Sequence, residues 1–253
     1  MKDLREKLYI STTAEDAPAL AREYGLGLEL ADFCTAYNMD VLFAEKDAAV
    51  REEMTGVERF IFHAPFSELC PAAIDPLVRE VTEKRYGQAV SLASGYGIKK
   101  IVIHSGFVPQ VYFPEWFIPE SVGFWRGFLR KLPEDVTICL ENVMETGPEL
   151  LRDIAAGVDD PRLRVCLDVG HAFSHAPALP MAAWIDPLAP FLSHVHIHNN
   201  DGETDLHRPL GQGEIDMRTV LDRISALAPQ ATFTVENMLA APSVDWLREN
   251  DYI

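Results

Sequence analysis

The stretch "VTICLENVMETGPELLRDIAAGVDDPRLRVCLDVG", residues 136–170, holds one complete structural unit. "VTICLENV" (136–143) and "LRVCLDVG" (163–170) are short apolar runs of strand composition, and the helix-like "GPELLRDIAAG" (147–157) lies between them. A strand, a crossover helix and a second strand make a parallel pair. Both runs end on a carboxylate, Glu141 in the first and Asp168 in the second.

The same alternation extends in both directions. Further strand-like runs are "KLYIST" (7–12), "LGLELADF" (26–33), "RFIFHAPF" (59–66), "KIVIHSG" (100–106), "SHVHIHN" (193–199) and "ATFTVEN" (231–237). Helix-like segments separate them: 16–25, 75–97, 119–133, 182–192 and 217–228, with 243–250 closing the chain. Eight strands alternating with about eight helices predict a parallel sheet, and eight such units close into a (β/α)8 TIM barrel. At 253 residues the chain has the usual length for one such barrel, so 1–253 is expected to be a single domain. A doubly wound open sheet is the alternative, but it would usually carry a glycine-rich turn after an early strand, and none is visible.

Composition narrows the setting. With 48% hydrophobic and 24% charged residues, the chain has enough apolar material for a large core. No apolar run reaches membrane-spanning length, and "MKDLREKLYISTT" lacks the apolar stretch of a signal peptide. A cytoplasmic protein is therefore expected. Cys34, Cys70, Cys139 and Cys166 form no CxxC pair and read as free thiols. The formal net charge of −17 disfavours non-specific nucleic-acid binding. The aromatic- and proline-rich insert "GFVPQVYFPEWFIPE" (106–120) follows the fourth strand, where it could wall or lid a pocket.

Polar residues recur at one place in the pattern. His63, His104, Glu141, Asp168, His196 and Glu236 sit at or near the ends of the third to eighth strands, with His171 three residues beyond Asp168. In a parallel barrel those ends share one rim, the face that carries active sites. Strand alternation points Glu141, Glu236, His194, His196 and His198 into the barrel. Six strands ending this way predict a metal site. Imidazole mixed with carboxylate and without thiolate suits Zn or Mn, and also Fe or Co.

At these residues the chain resembles the xylose isomerase-like barrels, a group that includes sugar isomerases and epimerases and the endonuclease IV family of apurinic-site nucleases. The resemblance runs from "GLELADF" to "FTVEN" and is densest in "VHIHNNDGETDLHRPLGQGEID" (195–216). The sugar-enzyme branch implies one divalent ion on Glu141, Asp168, His196 and Glu236. Glu141 and Glu236 would there be the proton-transfer pair, and His171 would contact substrate. The nuclease branch implies up to three ions. His63, His104 and Glu141 would hold the first; Glu141, Asp168, His196 and Glu236 the second; and His171, Asp205 and His207 the third. His194, His175 and His198 match none of these ligands, which leaves them packing or orienting roles. No dense basic loop adjoins the strand ends, and Arg208 is the nearest candidate for orienting a substrate. The resemblance thus implies a metal-dependent isomerase or epimerase of a sugar or sugar phosphate, acting through an enediolate. The alternative it implies is a zinc-dependent phosphoesterase or apurinic-site endonuclease.

Overall fold

The computed structural model describes residues 3–253. Its strands are β1 (Leu8–Ser11), β2 (Gly27–Leu30), β3 (Phe60–His63), β4 (Lys100–His104), β5 (Thr137–Glu141), β6 (Leu163–Asp168), β7 (Leu192–Ile197) and β8 (Thr232–Val235). Each pairs in parallel with the next, and β8 returns to β1, closing the barrel. Around it lie α1 (Ala17–Tyr24), α2 (Ala36–Asp40), α3 (Phe43–Glu53), α4 (Pro76–Gly95), α5 (Pro114–Leu129), α6 (Glu149–Val158), α7 (Val169–His175), α8 (Met181–Leu188), α9 (Met217–Leu227) and α10 (Ala241–Glu249). The expected (β/α)8 barrel is therefore present. No helix among the described residues is long and apolar enough to cross a membrane.

Strand alternation divides the apolar residues between two cores. Ile138 and Leu140 of β5 and Val165 and Leu167 of β6 join the large core between barrel and helices. Cys139 and Cys166, on the opposite faces of the same strands, pack with Tyr9, Ile61 and Val102 as a separate cluster inside the barrel. All four cysteines are free thiols.

Register then sets the rim. His104 of β4 lies directly beside Glu141 of β5, and Asp168 of β6 beside His196 of β7. Parallel neighbours are about 4.8 Å apart, so each pairing delivers two metal-capable side chains to one spot.

Helices α2, α3 and α7 are additional to the segments legible in the sequence. Only Val50 of α3 is buried, so that helix has no apolar stripe to detect. Helix α7 is seven residues long and is started by Asp168, whose carboxylate accepts a hydrogen bond from the His171 N–H at 2.7 Å. Helix α5 begins at Pro114, five residues before the expected start. Proline is well suited to a first helical turn, and only 106–113 of the insert remains loop.

Candidate metal centre

His196 sits at the middle of the rim and is fully buried. Its Nδ1 is 3.3 Å from Glu141 Oε1, 3.4 Å from Glu236 Oε2 and 3.7 Å from Asp168 Oδ2. Three carboxylates from β5, β6 and the end of β8 thus converge on one imidazole nitrogen. On one side, His63, His104 and Glu141 bring ligand atoms within 4.8 Å of one another. On the other, His171, His198, Asp205 and His207 do the same. Glu141 joins the first group to the centre, since its Oε2 faces His63 at 3.4 Å and His104 at 3.5 Å.

Backbone carbonyls fix how several imidazoles point. The Nδ1–H groups of His63, His171 and His207 donate to Ala64, Asn142 and Glu236 carbonyls at 3.0, 3.0 and 2.8 Å, once the tautomer is assigned from these partners. Each ring then turns Nε2 toward a carboxylate: Glu141 for His63, and Asp205 for His171 and His207, at 3.2 and 3.0 Å for the latter two. His196 is reversed. Its Nε2–H donates to Glu29 Oε1 at 2.9 Å, which leaves Nδ1 for the cluster. One ring nitrogen anchored to the protein and the other free is how a metal-binding histidine is held.

Glu29 lies below the rim, inside the barrel. Besides His196, it accepts hydrogen bonds from His194 Nε2–H at 2.9 Å and the Thr234 hydroxyl at 2.5 Å. Burial alone would push Glu29 upward. The His196 charge and these hydrogen bonds prevail, and its carboxyl lies well below the usual range. Burial holds His194 neutral, pulling it down to about 4.

The same opposition runs through the rim. Burial would raise Asp168, but His171 and His198 hold it well below the carboxylate range. Burial would depress His171, but Asp168 and Asp205 lift it well above an ordinary histidine. His207 is likewise raised to about 9, through its hydrogen bond to Asp205 and the nearby Glu236 charge. Some atoms stay outside this pairing. Glu141 Oε2, His196 Nδ1 and His198 Nδ1 are buried and have no hydrogen-bond partner. Buried orphan atoms of this kind are costly. They face three parts of the rim, Glu141 Oε2 toward His63 and His104, His196 Nδ1 toward the three carboxylates and His198 Nδ1 toward Asp205, and each is an atom type that a divalent cation there would satisfy.

Close packing helps to build the centre. A Cβ on Gly170 would lie 1.9 Å from His198 Cε1, so only glycine lets that ring rest against the start of α7. The ring's other face stacks on His207, with centroids 3.8 Å apart and planes 7° from parallel. Gly170→Ala is expected to dislodge His198 and destabilise the protein by roughly 1–3 kcal/mol, the usual cost of overpacking. Urea unfolding measures this, and a wild-type midpoint would refute it.

Nine of the residues singled out in the sequence meet here: His63, His104, Glu141, Asp168, His171, His196, Asp205, His207 and Glu236. Arg208 does not join them. Its guanidinium is paired with Asp201 at 3.0 Å, and it lines neither of the cavities at the barrel mouth. Three participants were not anticipated as such. Glu29 had a readable signal, because it alternates with Gly27 and Ala31 on the inward face of β2. Asn142 bridges β5 to β6 by exchanging two 2.9 Å hydrogen bonds with the Asp168 backbone. His198 carries its Nδ1 into the third group while Nε2 contacts Asp168 at 3.1 Å.

Metal-capable strand ends on a closed barrel point to a class, and comparison with known proteins gives the family. Residues 6–250 match the Xylose isomerase-like TIM barrel family, and the chain belongs to it. Among curated relatives, the uncharacterized protein MJ1311 of Methanocaldococcus jannaschii is 27% identical over 70% of this chain. The match spans only 64% of that protein's length. Several solved structures share the fold over nearly the whole of both chains. A D-tagatose 3-epimerase-like protein has a TM-score of 0.78 at 22% identity, covering 97% of this chain and 96% of its own. The TTHB071 protein from Thermus thermophilus, soaked with ZnCl2, scores 0.75 at 24%, covering 96% and 97%. Endonuclease IV from the same organism scores 0.61 at 20%, covering 97% and 99%.

Proposed function

We propose that the protein is a divalent-metal-dependent isomerase or epimerase of a small sugar or related polyol. The observation that carries this reading is the convergence of Glu141, Asp168 and Glu236 on His196 Nδ1, beneath a cavity of about 340 Å³ lined by His63, His104, His171 and His207. That volume suits a monosaccharide-sized molecule. No lysine or arginine lines it, which favours a neutral polyol over a phosphodiester.

Glu141, Asp168, His196 and Glu236 would hold the central ion. When bound, the ion supplies a Lewis acid that polarises a hydroxy-carbonyl pair and acidifies the neighbouring C–H. Glu236 and Glu141 flank His196 and serve as the proton-transfer pair, one removing a proton from carbon and the other returning it. Their surroundings differ. Both line the cavity, but Glu236 is partly exposed whereas Glu141 is buried. His171, fixed by the Asn142 carbonyl, orients a substrate hydroxyl.

A second reading, a zinc-dependent phosphoesterase, is favoured by the outer groups. His63 with His104, and Asp205 with His207, offer ligands that one central ion does not need. Elemental analysis of protein purified without added metal separates the two. One exchangeable ion per chain, with Mn-dependent interconversion of ketoses, supports the sugar reading. Two or three firmly held Zn ions with nicking of an abasic-site duplex overturn it.

Metal binding should depend steeply on pH. His171 and His207 must give up a proton before Nε2 can ligate, and His207 is raised to about 9. Affinity of the outer group is therefore expected to fall as pH drops below about 9, by about tenfold per unit for each proton displaced. Zn titrations at pH 9 and pH 7 measure it; equal affinities would contradict the assignment.

A further inference from the structure

A second cavity of about 450 Å³ opens beside the metal centre. It adjoins the first, since Phe66, His104 and Val143 line both. The rings of Phe66 and His104 form the partition, stacked with centroids 4.3 Å apart and planes 13° from parallel. Beyond them the walls are Phe107, Val108, Val111, Tyr112 and Met144. Val111 and Met144 are 58% and 40% exposed, and with the exposed Phe66, Val78 and Val108 they gather in one lining. Such a contiguous apolar patch is what marks a binding surface. Glu68 is the only charged residue in the lining apart from the His104 edge, and no lysine or arginine contributes.

Two loops shape this space. Gly106, at φ +73°, lets the loop after β4 run against the loop after β3; a Cβ there would lie 2.7 Å from the Leu69 carbonyl oxygen. Pro109 and Tyr112 then close a tight turn, and Trp116 Nε1–H ties the start of α5 to the Ala72 carbonyl at 3.0 Å. Phe66, Phe107, Val108 and Val111 are thus held on two mutually braced loops, and Val143 and Met144 join them from the loop after β5, at the edge of the polar cup.

We infer that this cavity is a subsite for an uncharged, apolar arm of the substrate, an aryl or alkyl substituent on the polyol whose hydroxy-carbonyl end meets the metal centre. The inference rests on the sugar reading above and deepens it by excluding a terminal phosphate. A phosphate would face Glu68 and a wall of hydrocarbon with no cation to receive it. An aryl group would replace water over Val111 and Met144 and stack along Phe66 and Phe107.

Three hydroxamates share one metal-chelating head and test this by calorimetry on the Zn-loaded protein: acetohydroxamate, 4-phenylbutanohydroxamate and phosphonoacetohydroxamate. The phenyl arm is expected to tighten binding at least about tenfold over acetohydroxamate, and the phosphono arm not at all. Val111→Asp and Met144→Asp, at exposed positions that the fold does not need, should each erase most of that gain. The acetohydroxamate Kd should stay unchanged in both variants. Equal affinities for the acetyl and phenyl probes, a gain from the phosphono arm, or a gain that survives both substitutions would overturn the subsite. Acetohydroxamate binding that is indifferent to Zn would instead strike the metal-dependent reading, and the subsite with it.

Discussion

Glu141→Gln is expected to lower divalent-metal affinity by more than about 100-fold and to abolish turnover. The carboxylate stands between two groups, with Oε1 toward His196 and Oε2 toward His63 and His104. An amide keeps the shape but loses the charge, and it places an N–H₂ against imidazole nitrogens that would face the proposed cation. Loss of residues that merely orient ligands costs about 10- to 100-fold, and Glu141 is one of the proposed ligands itself. Folding should survive, because the side chain keeps its volume. Elemental analysis after dialysis, together with circular dichroism, measures both consequences. A folded variant that retains full metal content would remove Glu141 from the centre.

Glu29→Ala should damage the protein more broadly, although Glu29 touches no proposed ion. The substitution leaves His194, His196 and Thr234 without their shared acceptor in a sealed barrel interior. Removing one partner of a buried charged network typically costs roughly 3–5 kcal/mol. Glu29→Gln separates stability from positioning. It preserves packing but offers one oxygen where two are used, so His196 loses its firm orientation. The expected result is a smaller loss of stability with a metal affinity reduced about 10- to 100-fold. Urea unfolding of the metal-free variants and Zn titration of the glutamine variant give the two quantities. Unchanged affinity in Glu29→Gln would mean that the barrel wall alone orients His196.

The architecture was legible because each strand repeats the same statement. "KIVIH", "VTICLE" and "LRVCLD" are apolar until their last residue, and in a parallel barrel those last residues must share a rim. Alternation then placed Cys139 and Glu141 inward, as found. Helix α3 escaped because its burial is one valine, and α7 because its signal is a single cap that also reads as a ligand. For Glu29 only half of the signal was local. Alternation with Leu28 and Leu30 points it into the barrel, but nothing in "GLEL" names its partners, His194 and His196, which lie 165 and 167 residues away. Arg208 shows the converse limit: proximity along the chain to Asp205 and His207 says nothing of the Asp201 carboxylate that claims its guanidinium.

Asp168 serves two masters at once, since one oxygen caps α7 through the His171 amide, the other leans toward His196, and His198 Nε2 sits against both. The opening turn of that helix is therefore a reporter wired to the centre of the barrel mouth. Any occupant that steadies this carboxylate also steadies the amide it holds, so deuterium uptake at His171 would track loading of the rim without a substrate, a chromophore or a label.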